Sequence, residues 1–590
     1  MTNFSFCQKD NNQNKNINKF QNQNLKINRK SLKNNEIANS NINSTTNISS
    51  SERPIQRCTC KNSNCLKFYC ECFANGKFCE NCLCVNCKNT QENKELRLQK
   101  YLQRLQLPDF SGRLLSLADG PEAWELLCQH GDEVLLLGLG PGTGPFLSSL
   151  QDQKLYWLEA PEILTATQSQ QCIPSTWVAL SQERARSAFT KAKVYYFRQN
   201  AYFAPAFWSS FLGHCFAQNW QQKAATAVYI PGNRGLLLHR ELVWACRKLG
   251  FDKVVEKLDC ENEEALFSAF SGRAPAFCLS VNGRGLDVHG RLFALFKALH
   301  VPCAIWLVDN PWHVLSRFKL PWWKEANLFV TDPTFIPTLS SEGAKHVSFL
   351  PLACAPHMWR PLAEVHEGVQ QEKLRFVGSS AFPGKDRFFA ATRLPDDLLA
   401  KAGELAANGG QPDIHWWYRQ SSCRLWPGAE SRLAGAGTEL CSQARRVRWL
   451  EEASRIGCEV VGDKGWKTLL PKACTKGPVD YYRELPDLYS GAIIFNITSL
   501  QLPGSLNQRH FDVWAAGGFL ITDAMPGLEI FPGELWREIA ITNPSQLRAL
   551  LSRIGQERRH FYELQVAWRE CLSSEHSYLN RLHSLFSELT

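Results

Sequence analysis

The sequence predicts an α/β protein with parallel sheets, preceded by a disordered tail and a small cysteine-rich module. Three observations carry this. From about residue 100 onward, short apolar runs rich in Val, Ile and Leu alternate with amphipathic stretches, the pattern of strands joined by helical crossovers. Ahead of them, nine cysteines fall between Cys58 and Cys87. Ahead of those, fifteen of the first fifty residues are Asn.

The tail, residues 1–52, also holds Lys, Gln, Ser and Ile, and such a tract cannot offset its ordering entropy by burial. It has no apolar h-region and no Arg-rich amphipathic pattern, so it does not read as a signal or transit peptide. The basic run Lys26, Arg29, Lys30, Lys33 reads either as a nuclear address or as solvated tail. Charge is divided unevenly: residues 1–100 hold 16 Lys and Arg against 7 Asp and Glu, while the rest holds 50 against 49. A basic head favours polyanions such as nucleic acid.

In the module, residues 53–98, the ligand candidates are Cys58, Cys60, Cys65, Cys70, Cys72, Cys79, Cys82, Cys84 and Cys87. Their close-set pairs let several thiolates converge on shared metal ions, with zinc the expected metal. Three tetrahedral zincs need about twelve ligand places, which nine thiolates supply if three of them bridge two metals. A disulfide-stapled module is the alternative, set against an odd cysteine count and Lys- and Asn-filled gaps. A segment with so few large apolar residues cannot bury a self-sufficient core, so the metal supplies folding free energy. The run KNSNCLKFYCECFANGKFCENCLCVNCKN resembles the CXC (CRC) domain of tesmin-like DNA-binding proteins at all nine cysteine positions. That resemblance implies three Zn2+ and binding to AT-rich double-stranded DNA, with Tyr69 inserted into the minor groove and Lys67 on phosphate. The family often carries two such units in tandem, and this sequence has one.

Beyond residue 100 the composition changes abruptly: Asn falls to twelve in 490 residues and all 19 Trp appear. The head favours amino acids with AT-rich codons and the body those with GC-rich codons, as in a chimera of two sources. The body's thirteen cysteines lack ligand spacing and read as buried free thiols. No apolar run approaches the roughly 18 to 20 residues of a membrane span.

In the first body region, residues 99–220, EVLLLGLGPGTG (133–144) runs a strand into a glycine-rich turn, and Glu159 ends a second strand about twenty residues on. This is either a nucleotide fingerprint, with an S-adenosylmethionine-dependent methyltransferase using Gly138–Gly144 as its sharpest form, or a tight turn without ligand. Residues 221–362 give further strands, TAVYIPG, FCLSVNGRGL, AIWLVDNPWH and NLFVTDPTF, whose polar loops fall at the strand ends where parallel sheets bind ligands. Asp309, Asn310 and His313 therefore sit where a cleft is expected, although a strand-end Asp also serves as a helix cap. A second unit, residues 363–543, opens with KLRFVGSS, continues through basic Lys385 and Arg387 and a Trp-containing helical insertion, and closes on SLNQRHFDVWAAGGFLITD. Its reading is a helix over 507–516, with Asn507, Arg509 and Asp512 in its early turns, where the dipole and Arg509 favour phosphate, and a Gly517-Gly518 break before the strand FLIT. Residues 544–590 read as closing helices that pack the second unit back on the first.

The body resembles the CgeB-like glycosyltransferases through VDNPWH, FVTDPTFIP, FVGS, LPDLYSGAIIFNIT and the run from Asn507 to Asp523. The resemblance implies the GT-B architecture of two Rossmann-like domains and transfer of a sugar from a nucleotide donor to a hydroxyl acceptor. It implies donor contacts at Gly378, Ser379, Lys385, Arg387, Asn507, Arg509, Asp512, Gly517 and Gly518, with Asp512 on the ribose. The wider pattern carries a second carboxylate eight residues upstream, where this sequence has Gly504. Asp309 or His313 is the expected base, and no catalytic metal is expected. A DNA-binding protein with an inactive transferase-like body is the second reading, and the methyltransferase the third. The expected compartment is intracellular: nuclear if the head governs, cytoplasmic if the body does.

Overall fold

The computed structural model describes residues 58–61, 64–67, 70–74, 77–102, 106–118, 120–140, 145–150, 153–167, 173–224, 226–256, 263–362, 373–382 and 384–589. The tail and Tyr69 lie outside them. The chain divides into two compact units, a head ending at Arg97 and a body beginning at Leu98.

The head has little regular structure, a single turn of helix at Glu71–Ala74 and a helix at Lys94–Leu102. Its buried centre is made of Cys58, Cys65 and Cys70 with Phe73, in place of a conventional apolar core.

After a short antiparallel pair, Gln106–Pro108 with Leu114–Ser116, the body forms a sheet of β1 (Trp124–Gln129), β2 (Val134–Leu137), β3 (Leu155–Leu158), β4 (Val178–Ala179) and β5 (Lys193–Phe197), in the order β1-β5-β2-β3-β4. Only β1 runs antiparallel. All four residues of β2 are buried, the continuous apolar run expected of a central parallel strand.

The next sheet contains β6 (Ala227–Tyr229), β7 (Lys253–Val255), β8 (Cys278–Val281), β9 (Cys303–Leu307), β10 (Asn327–Val330) and β11 (His346–Phe349). It is wholly parallel, in the order β7-β6-β8-β9-β10-β11. The last sheet contains β12 (Leu374–Val377), β13 (Glu459–Val461), β14 (Thr475–Lys476), β15 (Ile493–Asn496), β16 (Phe519–Asp523) and β17 (Ala540–Ile541). It too is parallel, ordered β14-β13-β12-β15-β16-β17, the six-strand Rossmann order. Strand order reverses between β6 and β8 in one sheet and between β12 and β15 in the other, and ligands of open parallel sheets enter at such switch points. Two such parallel sheets in one body are the GT-B architecture expected from the sequence.

Three helices matter for the site. Helix α1 (His239–Lys248) follows β6, α2 (Ser431–Ser454) ends the helical insertion, and α3 (Arg509–Ala515) precedes β16. The insertion packs Ile414, Trp417, Tyr418 and Ala434 into the same core as Ile305, Trp312 and Phe335 of the first sheet. Further along α2, Trp449, Leu450 and Ala453 join the core of the second sheet. One 24-residue helix thus straps both sheets. After α4 (Gln546–Gln556) and α5 (Arg558–Glu575), α6 (Tyr578–Leu589) returns to the first sheet. There Arg581 donates to the carbonyls of Pro351 and Leu352, and Phe586 packs on Phe277.

Candidate functional site

In the head, all nine cysteines are free thiols, which removes the disulfide alternative. Cys58 Sγ lies 3.8 Å from Cys65 Sγ and 3.6 Å from Cys79 Sγ, and Cys72 Sγ lies 3.6 Å from Cys82 Sγ. A tetrahedron with metal–sulfur bonds of about 2.3 Å has edges of about 3.8 Å, so these separations suit thiolates sharing one zinc. Three groups of four converge: Cys58, Cys60, Cys65 and Cys70; Cys58, Cys65, Cys79 and Cys84; and Cys58, Cys72, Cys79 and Cys82. Cys65 and Cys79 each belong to two of these groups and Cys58 to all three, so a bridging role falls to these thiolates, while Cys87 is in none of the three. Cys87 neighbours Cys84, Cys79 and Cys65. Burial pushes Cys58, Cys65 and Cys79 strongly toward the neutral thiol, so their ionised form calls for a cation. A neighbour also holds one of these sulfurs in place: Asn89, fully buried, donates to Cys79 Sγ at 3.1 Å. Lys67 is exposed on this unit.

In the body, Asp309 and Asn310 end β9 on opposite duties. Asn310 caps the turn 311–315 by accepting from the Trp312 N–H, with Pro311 at the first helical position. Asp309 caps nothing. Its Oδ2 accepts from Asn282 Nδ2 at 2.8 Å, and Asn282 is itself fixed because its Oδ1 accepts the Val308 N–H. Among the described residues Oδ1 of Asp309 receives no bond. The residue is open to solvent yet enclosed by protein on most sides; this desolvation raises its pKa, while Arg284 and Asn282 favour the carboxylate.

His313 is a different matter. It packs against Phe388 and Phe389, and a Cβ on Gly435 of α2 would stand 2.1 Å from its Nε2. Burial, with Arg432 nearby, drives its pKa down to about 3. The expectation of a base at His313 is therefore corrected: the ring is turned onto α2, and its lowered pKa makes it a poor proton acceptor.

At the second switch point, Gly378 and Ser379 follow β12 and Thr498 follows β15. The Arg509 guanidinium lies over Gly378, donating from Nη1 to Val377 O at 2.6 Å and from Nε to Asn496 Oδ1 at 2.7 Å. A Cβ at Gly378 would meet that Nη1 at 3.3 Å. Nη2 has no described partner. Asn507 works behind it, donating to Asn496 Oδ1 at 2.9 Å. Two arginines that sequence reasoning did not single out complete the cluster from α2. Arg445 donates to Asp523 Oδ2 at 2.9 Å and Thr498 O at 3.2 Å. Arg446 donates to Ser379 O at 3.0 Å and pairs with Glu439. Three guanidiniums thus converge where β12 and β15 diverge. Lys385 stands electrostatically close to Glu439, whereas the side chain of Arg387 is exposed and makes no described bond.

Three donor assignments are corrected. The helix begins at Arg509, not Asn507, and is a short one. Gly517 and Gly518 lie at the start of β16, the opposite end of the sheet from Gly378. Gly517 takes φ +76° to end α3, and Gly518 clears the Tyr489 carbonyl, which a Cβ would approach to 2.5 Å. Asp512 is buried, with Oδ1 accepting from Ala355 N–H and Gln508 Nε2 and Oδ2 accepting from Tyr481 OH, so it ties α3 to the interdomain connection. Nor is Gly504 an empty position. Its N–H donates to Asp332 Oδ2 of the first sheet at 2.9 Å, and a Cβ there would lie 2.6 Å from Asp332 Oδ1. With Asn310 Nδ2 donating to Gln501 Oε1 at 3.4 Å, this contact joins the strand ends of the two sheets across the cleft.

Beside the described residues of the glycine-rich turn after β2, protein fills the space. Glu159 accepts from Leu139 N–H, Ala160 N–H and Asn200 Nδ2. A Cβ on Gly138 would meet Asn200 Nδ2 at 2.3 Å. Residues 141–144 lie outside the described residues.

Residues 445–587 match the family model "Glycosyl transferase-like", and residues 55–91 match "Tesmin/TSO1-like CXC domain, cysteine-rich domain". The chain is 47% identical over 58 residues to "Protein lin-54 homolog" of Danio rerio, covering 10% of this chain and 8% of that protein. It is 57% identical over 44 residues to "Protein tesmin/TSO1-like CXC 6" of Arabidopsis thaliana, covering 8% of each. The chain thus spans about a twelfth of the length of these curated relatives. Among solved structures, the T4 phage β-glucosyltransferase BGT in complex with UDP-glucose is similar with a TM-score of 0.35 and 10% identity, over 62% of this chain and 99% of that one. No helix among the described residues is long and apolar enough to cross a membrane. The chain joins a tesmin/TSO1-like CXC domain to a glycosyl transferase-like domain of GT-B architecture.

Proposed function

We propose that the body transfers a sugar from a nucleotide donor to an acceptor hydroxyl in the cleft between the two parallel sheets. The observation that carries this is that the strand ends of the two sheets meet through Asn310–Gln501 and Asp332–Gly504, one side offering Asp309, an accessible carboxylate with one unbonded oxygen, and the other the cluster of Arg445, Arg446 and Arg509. Asp309 Oδ1 takes the acceptor proton as its oxygen attacks the anomeric carbon. The bond from that carbon to the donor diphosphate breaks, and the diphosphate leaves with the electron pair. The guanidiniums and the backbone at Gly378 and Ser379 neutralise the leaving charge, Arg509 through its unbonded Nη2. Lys385 adds charge at the rim. Attack opposite the leaving group inverts the anomeric centre.

Asp309→Asn keeps the bond to Asn282 within reach of an amide flip but removes the proton acceptor. Transfer should fall by a factor of about 100 or more, with donor affinity within about threefold. Transfer within a factor of two of wild type removes Asp309 from the role.

For the head, the reading is a CXC domain holding three Zn2+ on nine thiolates and binding AT-rich duplex through Lys67 and Tyr69. Zinc would supply folding free energy and neutralise the thiolates; the protein's part is to place the sulfurs and hold Cys79 through Asn89. Tyr69→Ala or a chelator should abolish duplex binding, and binding unchanged in both overturns this reading. DNA binding by the head suggests a nuclear compartment.

A further inference from the structure

Helix α1 and the loop before it form an open groove of about 530 Å3 on the first-sheet domain. Its wall carries Arg234, Arg240, Arg247 and Lys248, all exposed, and a half-buried Trp244. Trp244 follows Arg240 by four residues, and Arg247 and Lys248 follow Trp244 by three and four, so they share one face of the helix. The acid lining the groove, Glu256, is already engaged, by His239 at 3.0 Å and Arg247 at 3.7 Å.

The cations do not converge on a point as they would around a single phosphate. They are strung over about 12 Å of helix at 1.5 Å per residue, and the loop residue Arg234 extends the line. Three of the four are arginines, whose planar forks match phosphate oxygens, and the indole of Trp244 lies among them. The line leads toward the cleft. Arg240 Nε donates to Arg234 O at 2.8 Å, Leu237 O of the same loop accepts from Arg284 Nη1, and Arg284 is the cation beside Asp309.

We infer that this groove is a phosphate-backbone binding surface for nucleic acid on the body itself, separate from the CXC head. Arg240 also stacks on Tyr482, its guanidinium 3.9 Å from the ring centroid, which holds it in position, while Arg247 makes only the long contact of 3.7 Å to Glu256. The inference stands apart from the sugar-transfer reading, since it concerns binding only.

The test is the salt dependence of duplex binding by the full-length, zinc-loaded chain, compared with Arg234→Ala/Arg247→Ala/Lys248→Ala. Each phosphate contact adds about 0.9 to the slope of log K against log salt, so the triple variant should lose about 2 to 3 from it. A slope equal to wild type overturns the proposal. In a second full-length chain with the head disabled by Cys65→Ser/Cys70→Ser, weak duplex binding should persist and vanish when the triple substitution is added. Persistence after that addition overturns the proposal, and so does absence of binding before it. Polyglutamate should compete less well than duplex at equal charge concentration; equal competition assigns the groove to acidic protein and overturns the nucleic-acid reading. All three side chains are exposed, and thermal melting of the variant within about 2 °C of wild type shows that the fold is kept.

Discussion

Replacing Asp512 by Asn separates two accounts of one carboxylate, ribose contact and interdomain strut. In the structure the group is buried, accepts three hydrogen bonds, and stands near Glu241, with no cation paired to it among the described residues. Burial, with Glu241 nearby, raises its pKa from the ordinary 3.8 to about 7. The native state therefore holds a proton that the unfolded chain releases near pH 4. Stability from this group is full below about pH 4 and is lost progressively as pH rises to about 7. Between pH 5 and pH 8 the loss spans about two units of pH, or roughly 2 to 3 kcal/mol at about 1.4 kcal/mol per unit. Asn keeps Oδ1 as an acceptor for Ala355 and Gln508, and its Nδ2 can donate to Tyr481 OH once that hydroxyl turns. The variant should match wild type to within about 1 kcal/mol at pH 5 and exceed it by about 2 kcal/mol at pH 8, read by urea unfolding with Trp fluorescence. Raised carboxyls away from Asp512, such as Glu159 and Glu263, act equally in both proteins and cancel in the difference. Equal stability differences at the two pH values refute the strut, and a tenfold loss of donor affinity restores the ribose role.

Further outcomes follow from the same geometry. Gly504→Glu, which supplies the carboxylate of the wider family pattern, forces its side chain onto Asp332 and should destabilise the body by about 2 kcal/mol or more; Asp332→Ser should recover part of the loss in the same unfolding assay. Arg445→Ala leaves Asp523 buried without its cation and should cost about 3 kcal/mol, visible as a lower unfolding midpoint, whereas an unchanged midpoint shows that Thr498 alone satisfies the acid. Metal removal should release about three zincs per chain and expose nine reactive thiols in the head. A thiol titration that gives the same count before and after chelation contradicts the shared-metal cluster.

What sequence could show depended on the range of the contact. The cysteine spacing is local, so a thiol cluster able to hold metal was legible in it, and the recurrence of Cys58, Cys65 and Cys79 among its groups rests on the same thirty residues. The parallel sheets were legible because runs such as CAIWL and FLIT are buried on both faces. Asp309 was legible as a strand-end acid, but its separation from His313 depends on α2, which arrives more than a hundred residues later to cover the ring. Arg445 and Arg446 were missed for that reason: nothing in QARRVRW says that the doublet reaches Ser379 and Asp523. The doublet, in a helix otherwise sparing with charge at its buried positions, is the signal available. Gly517 and Gly518 misled because a glycine pair beside an apolar strand reads alike at either end of a sheet. The contact of Asp332 with Gly504, which accounts for a missing side chain, is likewise beyond any local pattern.

Calorimetric titration of the full-length protein with the uridine, guanosine, adenosine and cytidine diphosphates tests the central claim most directly. One of the four should bind, Arg446→Ala and Arg509→Ala should each weaken it at least about tenfold, one charge-assisted contact being worth about 1.5 kcal/mol or more, and Gly517→Asn should leave affinity unchanged. Binding by none of the four at millimolar concentration, or affinity indifferent to both arginines, would contradict a nucleotide-sugar site at the second switch point.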